Sequence, residues 1–139
     1  MWYIFPQIGG LGFSEMSKRY AISDLLEASA YLAHPVLGKR LKEISAALLL
    51  LRTNNANQVM GSPDDLKLRS SMTLFAQVPG ADPVFAAVRQ KYFQGENDKA
   101  TLHCCKANVF QLLSFASFSA TARSMLTLTL SGFASVNAR

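Results

Sequence analysis

The residues best placed by type and spacing to do chemistry lie between Ser62 and Thr73. There Asp64, Asp65, Lys67, Arg69, Ser70, Ser71 and Thr73 put two carboxylates, two cations and three hydroxyls into one predicted helix. Pairs four apart share a helix face, so Lys67 lies with Ser71 and Asp65 with Arg69. On structural grounds alone, Asp65 and Arg69 are expected to form a surface ion pair worth about 0.3–0.5 kcal/mol, with Ser62 and Asp64 as caps. Ser70, Ser71 and Thr73 are poor choices for helix stability, and consecutive hydroxyls inside a helix point to a polar contact elsewhere. Because functional sites are where local consistency breaks, this segment is the candidate ligand-facing or partner-facing site. Lys67 and Arg69 near a helix start suit a phosphate or nucleotide, although Asp64 and Asp65 already occupy the anion-friendly end. Facing a pocket, Asp64 or Asp65 would accept bonds from a ribose or ammonium group, or act as general base.

A second group opens the chain. Trp2, Tyr3 and Phe5 offer a stacking surface for a base or sugar, but core packing is the commoner fate of such a cluster and the expected one. Gln7, beside Pro6, is its polar handle. Gly9-Gly10-Leu11-Gly12 lacks the spacing and preceding strand of a dinucleotide fingerprint. His34, directly before Pro35, is expected to bond nearby backbone. Cys104 and Cys105 are adjacent, which suits neither a disulfide nor a zinc pair, and no His-x-x-x-His or Cys-x-x-Cys occurs. No metal and no cofactor is expected. A Ser-His-Asp device assembled from Ser70, His34 and Asp64 has no elbow or spacing behind it.

The elements that must position these residues read as helices. Ser62-Pro63-Asp64-Asp65 predicts a helix starting at Pro63, with Leu66, Leu68, Met72, Phe75 and Ala76 as its apolar stripe and Pro79-Gly80 as its stop. Asp82-Pro83 repeats the start signal for Phe85, Val88 and Tyr92, and Gly95 closes that helix. Val36, Leu37, Leu41, Ile44, Leu48 and Leu51 predict a helix of about four turns after His34-Pro35. Ser23-Asp24 opens a shorter one through Leu32, and Ser14 is a further cap after the glycine loop. Asn54-Asn55 and Gly61 bound a polar connection. Only Thr127-Leu128-Thr129-Leu130 alternates as a strand would. The fold class is all-α, a small orthogonal multi-helix bundle in a single domain.

Composition bounds the rest. At 139 residues the chain is sized for one domain, and with 50% hydrophobic and 17% charged residues it is not disordered by composition. The net charge of +5 divides unevenly: residues 1–100 carry eleven bases and nine acids, or +2, and the last carboxylate is Asp98. Lys18-Arg19, Lys39-Arg40-Lys42 and Lys67-Arg69 are short clusters broken by acids, so no specific nucleic-acid partner is expected. No secretory signal opens the chain, and the apolar stretch from Ala107 to Val136 is interrupted by Gln111 and Arg123, which argues against a membrane span. Two unpaired cysteines fit a reducing, cytoplasmic setting.

Trp2-x-Ile4-Phe5-Pro6-Gln7, Gly10-Leu11-Gly12, the run from Tyr31 through Gly38 and the run from Gly61 through Phe75 together resemble the bacterial and fungal domain-of-unknown-function family numbered 1810, over about residues 1–102. Some members carry the label calpastatin, and nothing in this chain supports calpain inhibition. The resemblance implies a small, soluble, all-α domain with no established activity. It also implies a further helical segment ahead of the aromatic motif, so a late start codon is expected. After Leu102 the family pattern is expected to end. Residues 103–139 hold six Ser, six Ala, five Leu, four Phe and no carboxylate, an atypical tail whose expected origin is an altered reading frame or a fusion. Three functions follow from these residues. The first is a polar small molecule or nucleotide bound between the aromatic segment and the Ser62–Thr73 helix, by Trp2, Gln7, Lys67, Arg69, Ser70 and Ser71. The second is a hydrolase or glycosidase acting on a nucleotide or ribosyl compound through Asp64 or Asp65. The third is a protein-interaction module.

Overall fold

Short polar side chains begin most of the helices. Ser14 accepts the Ser17 amide at 3.1 Å to open α1 (Glu15–Arg19), and Asp24 accepts the Glu27 amide at 2.8 Å to open α2 (Leu25–Ala33). His34 opens α3 (Leu37–Leu50) with its ring, Nδ1 accepting the amides of Val36 and Leu37 at 3.2 Å, and so bonds nearby backbone as expected. The polar connection bounded by Asn54-Asn55 contains a helix of its own, α4 (Ala56–Met60), because the Asn55 side chain accepts the amides of Asn57 and Gln58. α5 (Asp64–Ala76) follows, then α6 (Val84–Phe93), whose first amide bonds Asp82 at 3.0 Å. The computed structural model describes residues 2–107, and a seventh helix, α7, is described over residues 99–107. Every regular element among the described residues is a helix; Ile8 and Ile22 form one isolated parallel bridge. The Thr127–Leu130 alternation lies outside the described residues, as does the tail from 108 onward.

α5 is the central element, packed against α2, α4 and α6, while α3 lies on α2 and α6. Leu68, Met72, Leu74 and Phe75 are fully buried, and Phe75 stacks obliquely between Tyr31 and Phe85 at centroid separations of 5.5 and 5.8 Å. Burying side chains of this size contributes about 1.5–3 kcal/mol each. The single apolar stripe expected of α5 is too narrow a description. From Ser70 to Phe75 every residue is buried, so neighbours surround the C-terminal half, whereas Leu66 is half exposed in the first turn. α6 follows its pattern, with Phe85, Val88 and Tyr92 buried. α3 follows it partly: Leu41 and Leu48 enter the core, but Leu37 and Ile44 remain exposed while Gly38 and Ser45 go in.

Gly38 is there because the backbone of α2 passes so close. A Cβ at this position would stand 2.0 Å from the Leu32 carbonyl oxygen. The aromatic opening also divides. Phe5 is 2% exposed and belongs to the core, Trp2 is half-buried and Tyr3 is 66% exposed, so the expectation that all three pack inside is corrected. Residues 2–4 form a turn, which sends neighbouring side chains in different directions.

Candidate functional site

The Ser62–Thr73 segment splits into two environments. At its start, the helix has Pro63 in the cap position and no side-chain cap, because Ser62 does not reach the free amides. The Asp65 amide is met by the Gly61 carbonyl at 3.0 Å instead. Asp64 is held by Lys67 at 2.7 Å, so it acts as an ion-pair partner where a cap was expected. Asp65 accepts the Leu66 amide at 2.9 Å and does not pair with Arg69. Arg69 turns the other way, to Asp98 and Glu96 at 3.9 Å each.

At its buried end, the segment forms a polar joint with the start of α7. Ser70 donates to Asp98 Oδ2 at 3.0 Å; Thr73 donates to the Arg69 carbonyl at 2.8 Å and accepts the Asp98 amide at 3.0 Å. The same Asp98 oxygen accepts the Thr101 amide at 3.0 Å and its hydroxyl at 2.6 Å, which makes Asp98 the cap of α7. Burial by itself would push the Asp98 carboxyl up, but the hydrogen bonds from Thr101 and Ser70 and the Arg69 charge outweigh it and hold it below the usual aspartate value. The mid-helix hydroxyls do have their polar contact elsewhere, and that contact is structural. Ser71 is fully buried, and its Oγ has no partner among the described residues.

The first environment continues to the chain's opening residues. Lys67 Nζ lies 4.5 Å from the centre of the Trp2 ring, so the cation that holds Asp64 also sits on the indole. Trp2 in turn walls a cavity of about 220 Å3, with Gln7, Gly10, Ser17, Lys18 and Tyr20 among its other linings. Gly12 makes the enclosure possible: a Cβ there would fall 2.6 Å from the Ser17 side chain and 3.6 Å from the indole. Gln7 is 6% exposed, and its carboxamide makes no hydrogen bond within the described residues. It is not among the sealed, unpartnered polar atoms, which are Arg69 Nε, Ser71 Oγ and Arg89 Nε. Gln7 is one of the residues that line the cavity. The amides of Gly10, Leu11 and Gly12 likewise have no hydrogen-bond partner within the described residues.

Of the six binding residues expected from sequence, Trp2 and Gln7 share the cavity and Lys67 touches it through Trp2. Arg69, Ser70 and Ser71 do not converge there. Asp64 stands one contact further out, and Asp65 faces its own helix start. The sequence marks Lys18 only as part of a short basic cluster and gives no site signal for Ser17 or Tyr20, since single polar residues on a five-residue helix and at its C-terminal cap carry no spacing pattern. Asp98 did carry one, as the carboxylate three residues before Thr101 where α7 begins.

A larger groove of about 520 Å3 runs between α3 and the opening turn, lined by Ile4, Tyr31, Leu41 and Ile44 with Arg40 and Glu43. Among the described residues no helix is long and apolar enough to cross a membrane, and no group of three His, Cys, Asp or Glu side chains is placed to hold a metal.

The solved structures include a chain of similar fold. The chain is similar to the conserved hypothetical protein Rv1873 from Mycobacterium tuberculosis, at 45% identity over 73% of this chain and 73% of that chain, with a TM-score of 0.71. No curated protein matches the chain. Residues 1–105 match the family described as protein of unknown function (DUF1810). With the aromatic opening motif and the central α5 motif both inside that span, this helical chain belongs to the DUF1810 family.

Proposed function

We propose that this protein binds a polar small molecule in the cavity between Trp2, Gln7 and α1. The observation that carries the reading is Gln7, a nearly buried residue that lines a walled space and whose carboxamide has no hydrogen-bond partner among the described residues. A buried amide without partners costs about 1–3 kcal/mol, so a site that keeps one is served by water or by a ligand. At roughly 30 Å3 per water, the cavity has room for about seven. Binding is favoured over hydrolysis because Asp64 is engaged by Lys67 and neither Asp64 nor Asp65 lines the cavity. The larger groove favours the interaction-module reading less strongly, since nothing about it indicates an occupant.

Trp2 is the single tryptophan of the chain, so its emission reports on this site directly. Titration of the full chain with a panel of sugars, amino acids, phosphorylated sugars and nucleotides is expected to give saturable change in Trp2 fluorescence for one class. Trp2→Phe is expected to keep calorimetric binding while losing the optical signal. Saturable calorimetric binding that leaves Trp2 emission unchanged, or no binding by any class, overturns the reading.

A further inference from the structure

The walls of the cavity carry information about the ligand that its existence does not. We infer that the ligand is a nucleoside monophosphate, its base edge held by Gln7 and its phosphate by Lys18 and the glycine loop; this rests on the reading of the Trp2–Gln7 cavity as a binding site.

A carboxamide presents a donor and an acceptor side by side in one plane, so its best complement is a planar group with an acceptor beside a donor. Nucleobase edges have that pattern, and a glutamine meets them with two parallel hydrogen bonds. Free sugars have hydroxyls that rotate, and inorganic anions offer acceptors alone; neither uses both halves of the amide. The Trp2 indole, half-buried and braced by Lys67, forms the aromatic wall that a flat ring needs.

Size narrows the class further. Sites for drug-sized ligands commonly reach about 300–1,000 Å3, and this cavity, at about 220 Å3, is smaller. It takes one base with part of its sugar and leaves the remainder at the mouth, which excludes a dinucleotide lying wholly inside.

Charge at the mouth supplies the last element. Lys18 lines the cavity, and its ion pair with Glu15 at 3.1 Å is exposed on both sides. Such a pair is weak, so the ammonium is free to exchange Glu15 for a phosphate. Gly10 and Gly12 also line the cavity, and their amides lack partners within the described residues, so they are available as backbone donors to an anion at the mouth. No dinucleotide fold is needed for this, only donors and a ring-sized slot.

The test titrates the full chain with uridine 5′-monophosphate, adenosine 5′-monophosphate, ribose 5-phosphate and inorganic phosphate, read by Trp2 fluorescence and calorimetry. At least one nucleotide is expected to bind about tenfold or more tightly than ribose 5-phosphate, the worth of a good hydrogen-bonded pair. Gln7→Leu is expected to abolish that preference. Gln7→Glu, close in shape, keeps the acceptor and loses the donor; it provides the same comparison if the leucine variant fails to fold. Lys18→Gln is expected to weaken nucleotide and ribose 5-phosphate alike, leaving their ratio intact. Equal affinity for nucleotide and ribose 5-phosphate, or a preference that survives both Gln7 variants, overturns the inference while leaving a polar-ligand site standing. Silence across the wider metabolite panel overturns the site itself.

Discussion

At the scale of single residues, the Asp98 carboxylate accepts three hydrogen bonds, from Ser70, from the Thr101 amide and from the Thr101 hydroxyl. Asp98→Asn removes the charge from a cap and from the hydrogen bonds it accepts. The expected loss is about 2 kcal/mol, read as a lower urea midpoint with an unchanged slope. Ser71 predicts the opposite sign. Its hydroxyl is fully buried without a partner among the described residues, so Ser71→Ala removes an unmet polar group and leaves only a small void. An increase of about 1 kcal/mol is expected, and a decrease of that size means that Ser71 has a partner after all.

At the scale of elements, the tightest approach is between α2 and α3. Gly38→Ala places a methyl 2.0 Å from the Leu32 carbonyl oxygen, and a backbone atom cannot swing aside as a side chain does. The expected cost is about 3 kcal/mol, the upper end for overpacking, measured by thermal or urea unfolding. The other end of α3 is tied to α6. Lys91 donates to the carbonyls of Leu48 and Leu49 at 3.2 and 2.9 Å and also to Leu51, and Tyr92 donates to Leu48 at 2.7 Å. These bonds serve the carbonyls that a helix C-terminus leaves free, with a cation at the negative end of the dipole. Both contacts were hidden in the sequence. Phe85, Val88 and Tyr92 declare a helix by their spacing, but nothing in that spacing says that Lys91 reaches carbonyls 40 to 43 residues earlier.

For the molecule as a whole, buried ionisable groups limit stability from two sides. The Asp98 carboxyl is held low, so its contribution is complete above the ordinary aspartate range and is lost as pH falls through its own lower value. Burial pushes the Tyr92 phenol up, so its contribution is complete below about pH 10, where an unfolded tyrosine ionises, and is lost as pH rises beyond that. The melting temperature is therefore expected to fall below about pH 4 and above about pH 10. Asp98→Asn should flatten the acid limb alone, and Tyr92→Phe should flatten the alkaline limb in part, because burial also raises Tyr31 and Cys105; an acid limb unchanged in Asp98→Asn assigns it to other carboxylates. What the sequence determined by itself is the family and the helices α2, α3, α5 and α6, whereas α4 and α7 emerged only in the structure. Caps such as Ser14, Asp24 and Asp82 act on amides two or three residues away, and apolar spacing is read within one helix. The motifs that mark the family are likewise continuous runs. Only the tertiary structure decided which polar residues meet. Ser70 and Asp98 are 28 residues apart, Trp2 finds Lys67 across most of the described chain, and Gln7 lines a space bounded by a separate helix. Local spacing puts Asp65 and Arg69 on one face, yet Arg69 lies against Asp98 and Glu96, because packing brings the segment before α7 beside it while the Asp65 carboxylate accepts the Leu66 amide.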